Sequence, residues 1–148
     1  MKKSFFIVLL SVILLMPVAM QARDTVGDYS IKEALNQGNV KSKFDTNVKF
    51  YFGDQKYPKV LKDFGEFRTS KKTNAFMKSD VEACEWVFAS ALIALRDRAV
   101  REGGNAVVGI KSNYNNDLTS SSDTFKCGAG AIMAGVALVG TVVKIENR

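Results

Sequence analysis

The chain has 148 residues, a net charge of +6 and 47% hydrophobic residues, with two Cys, two Pro and no His. Without His there is no Ser-His-Asp or Cys-His catalytic apparatus, and most zinc sites are excluded as well. The length leaves room for one domain and none for a nucleotide-hydrolysing engine beside a substrate module.

The first segment reads as a secretory signal. Lys2 and Lys3 precede an almost uninterrupted apolar stretch from Phe5 to Leu15, followed by Pro17 and a small-residue exit from Ala19 to Ala22. This run is shorter than the roughly 20 apolar residues of a spanning helix, so cleavage after Ala22 is expected. Residues 1–22 are then the signal peptide and residues 23–148 a single α+β domain. Losing Lys2 and Lys3, and no acid, lowers the net charge from +6 to +4. Export implies a periplasmic or secreted location, where Cys84 and Cys127 are expected to pair. A bridge of that span stabilises a fold by roughly 4 kcal/mol in the chain-entropy model. The alternative, a redox-active or metal-binding pair, has neither a CxxC spacing nor a His beside it.

In the mature chain, Ser30 before Ile31 to Leu35, with Gly38 beyond, has the N-cap and terminal Gly of a short helix. Residues 47–53 alternate, with Val48, Phe50 and Phe52 on one side and Lys49 and Tyr51 on the other, as a half-buried strand does. Residues 54–63, with Pro58 and several charges, read as a loop. Residues 64–73 are strand-like again. The best-determined element is a long helix over 80–102. Ser79 and Glu82 match a capping box, acids open the helix, Arg96, Arg98 and Arg101 close it, and Gly103 and Gly104 stop it. Val81, Cys84, Phe88, Ala91, Leu95 and Ala99 form a stripe that must face a core. On the opposite side Trp86, Ile93 and Val100 recur every seven residues, so a second covering is needed. Either the short N-terminal helix supplies it through Ile31 and Leu35, or the ridge is a partner or self-association face anchored by Trp86. Ala106 to Ile110 reads as a strand and residues 113–122 as a polar hairpin loop. Residues 123–145 form one long kinked strand or two short ones, with Gly128, Gly130, Gly135 and Gly140 marking bulges or close approaches. The expected fold is therefore α+β: one long helix packed on a small antiparallel or mixed sheet and stapled to it through Cys84 and Cys127.

Chemical motifs are sparse. Gly130 and Gly135 have the gap of a P-loop without its Gly-Lys-Ser/Thr, and Gly128 and Gly130 lack the third glycine of a dinucleotide fingerprint. The uncharged run 127–143 suits a buried strand, or alternatively a small-residue membrane segment. Glu82 and Glu85 lie one turn apart as acid/base chemistry would need, but a helix start alone explains acids there. Asn113, Asn115, Asn116 and Asp117 carry oxygen ligands without the order of a calcium loop. Arg68, Lys71 and Lys72, flanked by Phe67 and Phe76, would suit a polyanion or protect a sheet edge. Nucleic acid is not an expected partner of an exported protein. No catalytic residue, cofactor or metal site is expected.

Ala94 to Ala99 running into Gly103, Gly104, Asn105, Ala106, Val107 and Val108, then Cys127 and Gly128, then Gly135 to Leu138, carry a resemblance. Together with Phe50 to Gly53, Phe64 to Phe67 and Lys71 to Phe76, they resemble small exported bacterial proteins labelled "excinuclease ATPase subunit". More distantly, the helix entering Gly-Gly-Asn-Ala-Val-Val and the later Cys strand are similar to the signalling domain of the Rcs envelope-stress lipoprotein and to the YbjQ-like heavy-metal-binding fold. Those relatives imply a small α/β domain with a helix packed on a sheet. The chain departs from the stress sensor in having no lipidation Cys and two Cys in place of four, and no P-loop accompanies the ATPase label. The expected role is a non-catalytic envelope-interaction module, stress-related by resemblance, whose partner is an envelope protein or a second copy. Alternatives are a small-ligand or metal-binding protein and a membrane-active factor using residues 127–143.

Overall fold

The computed structural model describes residues 24–44 and 47–147. The expected signal peptide and its cleavage point lie outside the described residues. In chain order the elements are β1 (Asp24–Ser30), α1 (Ile31–Asn36), α2 (Gly38–Lys41), β2 (Lys49–Phe52), β3 (Val60–Asn74), α3 (Asp80–Glu102), β4 (Ala106–Tyr114), β5 (Asp117–Thr119), β6 (Thr124–Gly130) and β7 (Met133–Ile145).

Among the described residues seven strands join one mixed sheet, larger than the small sheet expected. Its path is β1-β6-β7-β4-β2, with β3 also paired to β7 and β5 to β4. The β2–β4 pairing is parallel and the others are antiparallel. Strand β7 organises the sheet. Strand β3 runs along one of its edges from Asn74↔Met133 to Val60↔Ile145. Its other edge takes β6 at Gly128↔Gly135 and then β4 from Ser112↔Leu138 to Ala106↔Val143. A strand flanked on both edges and covered by a helix has no use for charge, which explains the uncharged run 127–143. The run is thus a pair of strands, β6 and β7, turning through residues 131–132.

Helix α3 is set at both ends by local chemistry. Ser79 Oγ accepts the Glu82 N–H at 3.1 Å, and Gly103 ends the helix at φ 84° with its N–H aimed at the Ala99 and Val100 carbonyls. Only glycine enters that region readily. Gly104 lets the helix end lie against β7, where a Cβ would come within 2.8 Å of Val142 Cγ1 and 2.9 Å of the Val143 carbonyl. Asn105 then behaves as an extra rung of β7. Its side chain donates to the Ile145 carbonyl at 2.9 Å and accepts the Ile145 N–H at 2.7 Å. The Gly-Gly-Asn turn therefore joins α3, β4 and β7 through packing and backbone chemistry.

Between α3 and the sheet lies the main core: Phe88, Leu92, Leu95 and Ala99 meet Val107, Ile110, Phe125, Val136, Leu138 and Val142. Phe88 and Phe125 stack with ring centroids 3.9 Å apart. On the other side of the sheet a smaller cluster joins Ala106, Val108, Val143 and Ile145 under Tyr51 and Val60.

Several expectations are corrected. Residues 24–30, which receive no element from the sequence, form strand β1, paired residue by residue with β6. An edge strand with one solvated face needs little apolar character, so its sequence gives no strand signal. Strand β3 begins at Val60, inside the expected loop, because β7 continues far enough to pair with it. Residues 113–122 contain β5. Val81, placed in the core stripe, is exposed because it sits in the first turn of α3. Gly38 opens α2 instead of ending α1.

Candidate functional site

The two cysteines meet. Cys84 on α3 and Cys127 on β6 form a disulfide with Cα atoms 5.9 Å apart, both fully buried beside the Phe88–Phe125 stack. Among the described residues there is no free cysteine. The pair therefore presents no thiolate as nucleophile or metal ligand. Its effect is mechanical, fixing the helix to the sheet near the middle of the core.

The second ridge of α3 stays largely open. Trp86 is 44% exposed and Val100 62% exposed, while Ile93 is half-buried. Helix α1 does not close it. Ile31 and Ala34 turn into the main core and Leu35 packs against it, and α1 and its following residue meet α3 around Glu85, where Gln37 Nε2 donates to the carboxylate. The segment after α2 does reach the ridge. Lys43 Nζ stands 5.0 Å from the Trp86 ring centroid, and the Lys43 carbonyl accepts a 2.6 Å bond from Arg96. A cation over an indole face is attracted by the ring quadrupole, by about 0.5–1 kcal/mol at an exposed site.

The carboxylates Glu82 and Glu85 do not converge. Glu82 is exposed and its N–H serves the Ser79 cap, whereas Glu85 is buried against Gln37. Burial first, and then the nearby Glu33 charge, raise the Glu85 pKa above the usual carboxylate value, with the Gln37 bond opposing them. Asn115 and Asn116, at φ 52° and 62°, are the two central residues of the β4–β5 hairpin, where a type I′ turn requires positive φ. Their side chains have a sufficient reason in the turn. Among the described residues no group of three or more His, Cys, Asp and Glu side chains is placed to hold a metal ion.

The basic cluster is dispersed by the pleat. Arg68 and Lys72, opposite Val139 and Gly135, share one face of β3, and Lys71 lies on the other. Arg68 has Glu66 4.0 Å away. Phe67 is half-buried, with the Arg98 guanidinium 4.1 Å from its ring centroid, and Phe76 is exposed in the β3–α3 loop.

A groove absent from the sequence reading lies where β6 meets β7. Its floor is the Gly128↔Gly135 pair, and its walls include Tyr114, Lys72, Asp24 and Met133, enclosing about 390 Å³. The phenol covers the floor so closely that a Cβ on Gly128 would lie 1.9 Å from its oxygen. Burial, and then the Asp24 carboxylate, raise the Tyr114 pKa above the ordinary phenol value. The available signal was two glycines in strands that pair, but it needs the register to be read.

No protein-family model matches the chain, and no curated protein matches it. A solved structure of a protein with unknown function from Pediococcus pentosaceus, which belongs to the DUF74 family, is similar over 68% of this chain and 100% of its own, at 12% identity and a TM-score of 0.47.

Proposed function

We propose that the chain is an exported, non-catalytic binding module of the bacterial envelope, periplasmic or secreted, in which a long helix stapled to a sheet presents a fixed surface to an envelope protein. The observation that carries this reading is the Trp86, Ile93 and Val100 ridge. A tryptophan 44% exposed, with Lys43 over its ring, on a helix tethered by a disulfide, has the form of a preorganised anchor. The export signal in residues 1–22 and the resemblance to the envelope-stress signalling domain support the compartment and suggest a stress-related role. Nothing in the residues supports DNA-repair ATPase chemistry.

In-cell photocrosslinking tests this directly. A photoreactive residue at position 100 should give a discrete adduct that Trp86→Ala abolishes, while the same residue at position 56 gives none. Identical patterns at both positions would contradict the reading, and an adduct of twice the chain mass would make the partner a second copy. The groove over Gly128 favours a second reading, a small-ligand protein in which Lys72 and the Tyr114 hydroxyl meet an anionic or hydrogen-bond-accepting group. Metal titration of oxidised and reduced protein separates a thiolate-dependent metal site from either reading, because the closed disulfide offers no thiolate.

A further inference from the structure

At one end of the sheet two loops carry unburied apolar side chains. Phe76 and Met77 lie in the β3–α3 loop, and Ile132 and Met133 at the β6–β7 turn, all exposed and Met77 90% so. The Ala75 N–H donates to the Ile132 carbonyl at 2.6 Å and Asn74 pairs with Met133, so the two loops stand side by side. Met77 adopts φ 60°. A left-handed backbone costs a non-glycine residue free energy, and here it presents a thioether side chain to water. Clustered exposed apolar side chains of this kind mark an interaction site.

Lys72 lies beside Ile132 and Met133, Lys71 is on the opposite face of β3, and the Lys78 ammonium donates to the Asn74 carbonyl at 3.1 Å; all three side chains are exposed. The neighbouring acids include Asp24, in the wall of the adjacent groove with Lys72, and Asp80 and Glu82 in the first turn of α3. Strand β1 starts at this same end, with Asp24 opposite Gly130.

We propose that this lip, Phe76, Met77, Ile132 and Met133 together with Lys71, Lys72 and Lys78, docks the protein on an anionic membrane surface. Two narrow apolar tips reach the headgroup boundary while the lysines meet lipid phosphates. A protein partner would favour a broader patch with fewer lysines, since Lys is depleted from protein interfaces. The lip is separate from the α3 ridge. It rests on the export reading only for where the membrane is met, so the two fail independently.

The test is co-sedimentation of the chain from Arg23 onward, which keeps every described element, with phosphatidylglycerol or phosphatidylcholine vesicles. Binding to the anionic vesicles is expected, falling roughly fivefold for each of Lys71→Gln, Lys72→Gln and Lys78→Gln. The pair Met77→Asn and Ile132→Asn should lose about tenfold or more with an unchanged circular dichroism spectrum, since asparagine suits a left-handed position. Absence of binding to phosphatidylglycerol would overturn the proposal. So would binding that depends on the lysines alone, or a dimer that the apolar substitutions disrupt while no vesicle is bound.

Discussion

The Cys84–Cys127 seam and the Phe76 to Met133 lip are made of similar residues and end in opposite states. At the seam, Phe88, Phe125, Leu92 and both sulfurs are fully buried and in mutual contact. At the lip, Phe76, Met77, Ile132 and Met133 face water. The difference teaches that hydrophobicity at the lip does not serve the fold. The seam bears the stability, and the lip and the α3 ridge are free to meet something else.

Substitutions in the two regions should therefore separate cleanly. Phe88→Ala should have the largest effect, about 3–5 kcal/mol by denaturant unfolding, because it opens a cavity against Phe125. Losing the disulfide through Cys84→Ser with Cys127→Ser should cost about 2–4 kcal/mol in the same assay. Asn105→Ala should cost about 1–3 kcal/mol, since it leaves the Ile145 N–H and carbonyl unpaired. An effect on ligand or partner binding without loss of stability would show that the Gly-Gly-Asn turn does more than join elements.

Glu85→Gln sharpens the comparison through pH. The folded carboxyl titrates above its usual 4.5, so the native state keeps a proton that the unfolded chain has already lost. Stability is thus greatest below the unfolded pKa and falls as pH rises through the folded one, with the penalty persisting above that window. A melting-temperature profile of Glu85→Gln should lack this fall and lie above the parent at neutral pH. The smallest effect belongs to the lip, where Met77→Asn should change stability by no more than about 0.5 kcal/mol. A large loss there would show that Met77 serves the core and would erase the contrast.

The sequence made the seam more legible than either exposed surface. The capping residues, the Arg-rich end and the apolar stripe of α3 are local signals, and the structure places the helix at Asp80–Glu102. Burial of Cys84 followed from its place in that stripe, and the bridge to Cys127 is formed. Strand β1 was illegible because its pairing with β6 joins residues far apart in sequence, and its own composition is polar. Trp86, Ile93 and Val100 were visible as a ridge, but whether α1 covered them depended on which way Ile31 and Leu35 turned. The lip was hidden for the same kind of reason. Phe76 and Met133 become neighbours only through the long β3–β7 ladder, whose register places the two loops at one end.

Intact-mass analysis of the protein recovered from cells and alkylated in denaturant tests the exported, stapled module most directly. The expected result is a chain beginning at Arg23 with no thiol adduct before reduction and two adducts after it. A chain retaining residues 1–22 with both cysteines alkylated before reduction would contradict it.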